Sequence, residues 1–220
     1  MLVDLAPGPD YDIAIRLFNS DGSEAEISGN GTRCAAAFAI AQGHPGDTVR
    51  VGTGAGIKLL RMLDRRGHVF LFDMNMGRPE FTAERFLLPL ATGPRDVTLL
   101  WVGNPQCAVP VDDFDFDWRA MGAEIERHPQ FPNRTNVSFL RPRDPHTLDV
   151  RIWERGAGET MSSGTGSTGA FAAAVRRGLI VSPAQVITPA GPLDLRWNGD
   201  VFLKGPAEIV AEGVFFAPLA

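Results

Sequence analysis

Short stretches of alternating hydrophobic and polar residues occur along most of the chain. Successive side chains of a β-strand point to opposite faces, so a period of two predicts strands with one buried face. The stretch HVFLFDM, residues 68–74, is one example. We predict further strands at residues 12–18, 48–53, 57–63, 96–102, 136–142, 148–154, 184–189, 193–199, 200–205 and 207–216. Glycine-containing turns at residues 65–67 and 198–199 predict two hairpins.

Two alanine-rich stretches interrupt the alternation and predict helices. They cover residues 32–42 and 167–177, and each is followed by a glycine, Gly43 or Gly178, of the kind that commonly ends a helix. A surface helix is predicted within residues 112–131, and residues 78–96 are predicted to connect two halves of the chain. Many antiparallel strands with few helices predict an α+β fold.

The two alanine-rich stretches belong to an internal repeat. Residues 16–43 align without a gap with residues 151–178, so that Ser28 falls on Ser163 at an offset of 135 positions (163 minus 28). A repeat of this length is a domain and not a solenoid unit. We therefore predict two similar domains from an internal duplication, related by a pseudo-two-fold axis, each an antiparallel sheet wrapped on a central helix. Their predicted bounds are 1–82 with 211–220 for the first domain, and 83–210 for the second.

Composition and charge narrow the classes of partner. The 220 residues are 44% hydrophobic and carry a net charge of −5, which argues against nucleic acid or an anionic membrane surface as the main partner. No apolar run approaches the length of a membrane span, and the first residues do not have the pattern of a secretory signal, so we expect a cytoplasmic protein. Two cysteines and four scattered histidines form no metal-ligand pattern, so we expect no metal.

The repeated segment has a glycine loop, S-G-x-G, immediately before each helix. A helix N-terminus offers free backbone N–H groups and a favourable dipole to an anion. If the two halves pack face to face, a carboxylate would lie between two such ends, with Ser28 and Ser163 on opposite sides. This arrangement suits proton removal and delivery at the adjacent carbon. A serine hydroxyl is a poor base without an activating partner, so a purely capping role for both serines is an equally good interpretation.

Four motifs resemble the diaminopimelate epimerase family in their order and spacing. They are RLFNSDGSEAEISGNGTRC (16–34), GNPQC (103–107), FPNRTNVSF (131–139) and ERGAGETMSSGTGS (154–167). The resemblance covers nearly the whole chain. It implies two similar α+β domains and an isomerase without a cofactor that acts on a small amino acid through its carboxylate. The family inverts one stereocentre of diaminopimelate, on the route to lysine and peptidoglycan.

The resemblance also implies roles for individual residues. The catalytic positions would be Ser28 and Ser163, with Glu154 beside one of them and Gln106 near the site. Residues at substrate-binding positions of the family would be Asn19, Gly29, Asn30, Gly31, Asn104, Asn136, Arg155, Gly164 and Thr165. Within this set, the N–H groups of Asn30, Gly31, Gly164 and Thr165 would hold the reacting carboxylate. The alternative for Glu154 and Arg155 is a solvated ion pair at the end of a strand.

The chain departs from the family pattern at the positions that transfer protons. The family has cysteine at the positions of Ser28 and Ser163, and histidine at the position of Gln106. Cys34 and Cys107 match non-catalytic positions, and we interpret both as small core residues. The family also has an N-terminal segment before the match to this chain. We therefore expect either a shortened start or an open sheet edge covered by a loop or another copy, which makes a homodimer one expectation.

Three hypotheses remain open from the sequence, and a fourth, a purely structural role, is the least favoured because the loops, Glu154 and Arg155 are all retained. In the first, the chain is an isomerase in which two serines act as weak acid and base, with little activity on diaminopimelate itself. In the second, the same carboxylate clamp supports an elimination. In the third, the chain is a non-catalytic paralogue that binds an amino acid without turnover.

Overall fold

The computed structural model describes residues 1–18, 22–214 and 216. The first half of the chain contains β1 (Leu2–Asp4), β2 (Ile13–Phe18), β3 (Glu24–Ala25), α1 (Gly29–Ala41), β4 (Thr48–Thr53), β5 (Gly56–Arg66) and β6 (Val69–Gly77). The second half contains β7 (Glu80–Leu88), β8 (Arg95–Trp101), β9 (Pro105–Pro110), α2 (Trp118–Glu126), β10 (Asn136–Asp144), β11 (Thr147–Glu154), β12 (Gly158–Thr160), α3 (Gly164–Arg176), β13 (Ala184–Thr188), β14 (Gly191–Asn198) and β15 (Asp200–Glu208).

The two halves share one sheet. Its strand order is β1-β2-β4-β5-β6-β15-β14-β13-β11-β10-β9-β8-β7, with β3 paired to β2 and β12 to β11. The halves join where β15 pairs antiparallel with β6. Most pairs are antiparallel, but β2 with β4, β9 with β10 and β11 with β13 are parallel. A helix lies between the two strands of each parallel pair along the chain, as a parallel connection requires.

The internal repeat is visible in the elements themselves. Helix α1 begins at Gly29 and ends at Ala41, and α3 begins at Gly164 and ends at Arg176, so both bounds differ by the repeat offset. Each helix follows a short strand that pairs with the strand before it, β3 on β2 and β12 on β11. The fold is therefore α+β with two similar halves, as the sequence predicts.

The helices lie against the sheet through small side chains. Alanines 35–37 of α1 and alanines 170 and 172–174 of α3 are buried in one core that both halves share. A smaller core in the second half packs α2 against the sheet through Trp118, Ile125 and Phe139. The helices span 13, 9 and 13 residues. Within the described part of the chain, none has the length and apolar character that crossing a membrane needs.

Several element predictions need correction. Residues 80–88, predicted to lie in a connection between the halves, form β7. This strand pairs with β8 and is the last strand on that side of the sheet. The prediction of separate strands at 200–205 and 207–216 is wrong: one strand, β15, runs from Asp200 to Glu208 and ends where its pairing with β6 ends. Both predicted hairpins are present, with Gly67 and Gly199 at positive φ in their turns. The helices begin three residues earlier than predicted, because the glycine loops form their first turns.

The domain bounds remain a prediction. Residues 1–82 and 83–210 meet within β7, and of the segment 211–220 the structure describes 211–214 and 216.

Candidate active site

The N-termini of α1 and α3 touch each other. A Cβ atom added to Gly29 would lie 2.7 Å from the Cα of Gly164, and one added to Gly164 would lie 2.7 Å from the Cα of Gly29. Only glycine allows two backbones to approach so closely. Across the same contact, Asn30 Nδ2 donates a hydrogen bond to the Ser162 carbonyl at 3.0 Å. The two glycine loops of the repeat therefore face each other.

Ser28 and Ser163 occupy the N-cap positions of the two helices. Ser28 Oγ accepts from the Gly31 N–H at 3.1 Å, and Ser163 Oγ accepts from the Gly166 N–H at 3.2 Å. Both residues have extended backbones, as N-caps do. Ser163 is buried and Ser28 is half-buried. The capping role is therefore real, and each hydroxyl retains its own proton for donation elsewhere.

The two first turns supply backbone donors for an anion. An α-helix has no internal acceptor for its first N–H groups, and the helix dipole adds partial positive charge at the same end. The N–H groups of Asn30, Gly164 and Thr165 lie in these turns. The Gly31 N–H, predicted to join them, donates instead to Ser28.

Glu154 lies next to Ser163. Its carboxylate accepts from Thr160 Oγ1 at 2.9 Å, and the Ser163 side chain lies near enough to lower its pKa. Burial raises the pKa of the Glu154 carboxyl above its ordinary value, and the hydroxyls of Thr160 and Ser163 oppose that rise. This face of the site thus has an acid–base group near its serine. The repeat counterpart of Glu154 is Asn19, which lies outside the described residues.

A chain of buried polar side chains continues from Ser163. Ser163 Oγ lies 3.4 Å from Thr165 Oγ1, which accepts from Asn104 Nδ2 at 3.4 Å. Asn104 Oδ1 accepts from Gln106 Nε2 at 2.7 Å. Gln106 packs against Gly169 of α3, and its Oε1 atom has no hydrogen-bond partner among the described residues. An amide does not titrate in water, so Gln106 can orient Asn104 but cannot act as a base.

Arg155 connects the two halves. Its guanidinium pairs with Glu26 of the first half and donates to the Asn133 carbonyl at 3.2 Å. Its backbone N–H donates to Asn136 Oδ1 at 2.9 Å, and Asn136 Nδ2 donates to the Pro105 carbonyl. The interpretation of Glu154 and Arg155 as an ion pair is wrong, because each has a different partner.

Glu26 was not predicted from the sequence to belong to the site. The indication in the sequence was its position two residues before Ser28, immediately before the glycine loop. Two clefts, of about 360 and 550 Å³, are both lined by Glu26, Asn133 and Arg155. Trp101 and Phe131 add apolar surface to the larger cleft. Both clefts therefore lie at Arg155, which the sequence predicts to bind substrate.

The cysteines differ in their surroundings. Cys107 on β9 is buried, and burial raises the pKa of its thiol, as expected for a core residue. The interpretation of Cys34 as a core residue is wrong: its side chain is exposed, because it lies on the outward face of α1. Among the described residues, no group of three or more His, Cys, Asp or Glu side chains could hold a metal ion.

The fold and the site together define a class: a two-halved α+β protein in which two glycine loops place their serines and helix N-termini around one point. A sequence model of the family described as diaminopimelate epimerase matches residues 2–82 and 98–210. The diaminopimelate epimerase of Pelotomaculum thermopropionicum is 38% identical over 97% of this chain and 82% of its own length. That of Ralstonia pickettii is 39% identical over 97% and 80%.

Solved structures extend the comparison at the level of fold. A hydroxyproline epimerase from Agrobacterium vitis, with bound trans-4-hydroxy-L-proline, superposes with a TM-score of 0.77 at 16% identity. The match covers 94% of this chain and 72% of that structure. The chain belongs to the diaminopimelate epimerase family. Its sequence relatives are epimerases, a class of isomerases.

Proposed function

We propose that the chain exchanges and inverts the proton on the α-carbon of an amino acid whose carboxylate lies between the N-termini of α1 and α3. The observation that carries this proposal is the contact of Gly29 with Gly164, which brings both glycine loops to one point. Two opposed helix ends favour a carboxylate, and also the additional negative charge that develops on it when the α-proton leaves.

The two faces of the clamp differ in the acid–base groups that they offer to the substrate. On one face, Glu154 accepts the α-proton, either directly or through the nearby Ser163 hydroxyl. On the other face, Ser28 delivers a proton from its hydroxyl. A hydroxyl is a far weaker acid than a thiol, so the second delivery limits the rate. The chain therefore acts slowly on diaminopimelate compared with a member that has two thiols.

The substrate is an amino acid with a second carboxylate. Its support is Arg155, whose guanidinium lines both clefts, and the relatives named diaminopimelate epimerase. The related fold of the hydroxyproline epimerase holds a smaller amino acid, so small cyclic amino acids belong in the same screen. A homodimeric assembly and a cytoplasmic location remain predictions from the sequence.

The test is uptake of solvent deuterium at the α-carbon of diaminopimelate, followed by mass spectrometry and NMR. We expect exchange above the protein-free background, with no loss of water or ammonia from the substrate. The double variant Ser28→Cys with Ser163→Cys should exchange at least tenfold faster, because each thiol is a better acid and its thiolate a better base. Cys34→Ser is the matched control, since it changes the same atom type on the outward face of α1.

The second candidate is a protein that binds an amino acid without turnover. The observation that favours it is the engagement of both serine hydroxyls as acceptors of capping hydrogen bonds. Calorimetric binding of diaminopimelate with no deuterium uptake, in the wild-type chain and in the double cysteine variant alike, would establish this candidate. A product lighter by water or ammonia would instead indicate an elimination at the same clamp.

A further inference from the structure

Arg33 is a buried cation behind the carboxylate clamp. It lies one turn after Gly29 on α1 and is 4% exposed. Its three hydrogen bonds go to neutral oxygens: Nε to the Pro206 carbonyl at 3.1 Å, Nη1 to the Gly29 carbonyl at 3.2 Å and Nη2 to Asn30 Oδ1 at 2.8 Å. Among the residues that the structure describes, no carboxylate forms an ion pair with it. The described part of the fold thus buries a full positive charge without an ion-pair partner.

Such a charge is costly for a fold to retain. Removing a guanidinium from water carries a large penalty unless an anion compensates it. Burial lowers the pKa of Arg33 to about 10, so it still carries its proton at neutral pH. Gly205 of β15 leaves the space for it, because a Cβ there would lie 3.3 Å from the guanidinium carbon. A bound anion nearby would recover part of the penalty.

The hydrogen bonds of Arg33 place its charge next to the clamp. Arg33 fixes the Asn30 side chain, which in turn donates to the Ser162 carbonyl of the opposite loop. The Nη1 atom of Arg33 lies 3.2 Å from the carbonyl oxygen of Gly29, the first residue of α1. In a protein interior, a unit charge so close to the helix end acts appreciably on an anion bound there.

We propose that Arg33 is a positioning residue of the carboxylate clamp, which locks the two loops together through Asn30 and serves as the built-in countercharge of the bound carboxylate. This inference rests on the proposed function, because it assumes that an amino-acid carboxylate binds between the two helix ends. It adds one requirement for carboxylate binding beyond the two glycine loops, namely a positively charged side chain at position 33.

The test separates the charge from the contacts. Arg33→Gln removes the charge and retains an amide donor, whereas Arg33→Lys retains the charge and loses the planar fork. Affinity for diaminopimelate is measured by calorimetry, together with the rise in Tm that saturating diaminopimelate causes. We expect Arg33→Gln to weaken binding tenfold or more and to lose most of the ligand-induced rise in Tm. Arg33→Lys should stay within about threefold of the wild type. Arg66→Gln is the matched control, since the Arg66 side chain is 87% exposed in a hairpin turn.

The outcomes distinguish this inference from the proposed function. If Arg33→Gln binds diaminopimelate as tightly as the wild type does, the role of Arg33 is overturned and the proposed function is not. The same conclusion follows if Arg33→Gln and Arg33→Lys lose affinity equally. A wild-type chain that binds no amino acid overturns both. If Arg33→Gln does not fold, Arg33→Lys decides alone: affinity within threefold supports the proposal, and a loss of more than tenfold overturns it.

Discussion

Replacing Gly164 with alanine would push a methyl group into the backbone of the opposite helix. The new Cβ would lie 2.7 Å from the Cα of Gly29, whereas carbon atoms in good contact are about 3.5–4.0 Å apart. The two helix ends must therefore separate by about 1 Å, because a backbone atom cannot rotate away as a flexible side chain can. Overpacking of this kind lowers the free energy of unfolding by about 1–3 kcal/mol. For a chain of this length, each kcal/mol lowers Tm by roughly 2–4 °C.

The same separation should also affect the chemistry of Gly164→Ala. A displacement of about 1 Å between reacting groups costs on the order of 100-fold in rate, so we expect α-proton exchange to fall by about that factor. Urea unfolding measures the first effect and deuterium uptake measures the second. Gly213→Ala is the matched control, because a Cβ there would meet nothing within 4 Å. The reasoning is refuted if Gly164→Ala retains both the stability and the exchange rate of the wild type.

Two further predictions concern titration and thiol access. Because the folded pKa of Glu154 lies above its ordinary value of 4.5, its ionisation destabilises the fold as pH rises through the window between those values. Glu154→Gln lacks that loss, so its free energy of unfolding relative to the wild type should increase across the window and then level off. Urea titrations at successive pH values measure this difference, and one that does not change with pH would contradict the burial of the carboxyl. A thiol reagent should modify Cys34 in the folded protein and Cys107 only after denaturation. Two fast equivalents in the native protein would contradict the placement of Cys107.

Much of the fold follows from local pattern. The glycine-marked hairpins, the period-two strands and the two alanine helices were predictable because each depends on neighbours in sequence. The repeat added the relation between the halves. The joining of both halves into one sheet through β6 and β15 was not predictable, because nothing local specifies which edges pair. Residues 80–88 were misassigned for the same reason, since their pairing partner β8 decides their conformation.

The residues of the candidate site, like the elements of the fold, were only partly predictable from the sequence. The two serines and the glycine loops could be located from the repeat, because both copies have the same spacing. Glu26 and Arg33 were missed, since their importance comes from contacts across the molecule: one with Arg155 and one with Asn30 and β15. A charged residue's partner in the fold cannot be read from its neighbours in the chain. The departure of Ser28 and Ser163 from cysteine is visible in the sequence, but their engagement as helix caps needed coordinates.

The most direct test of the account is α-proton exchange by the wild-type chain in deuterated water with diaminopimelate. The opposed helix ends, with Glu154 near one of them, predict slow deuterium uptake at the α-carbon, above background and without loss of water or ammonia. Absence of uptake from diaminopimelate and from a panel of other amino acids, with a folded protein at high concentration, would contradict the claim that this clamp performs proton chemistry.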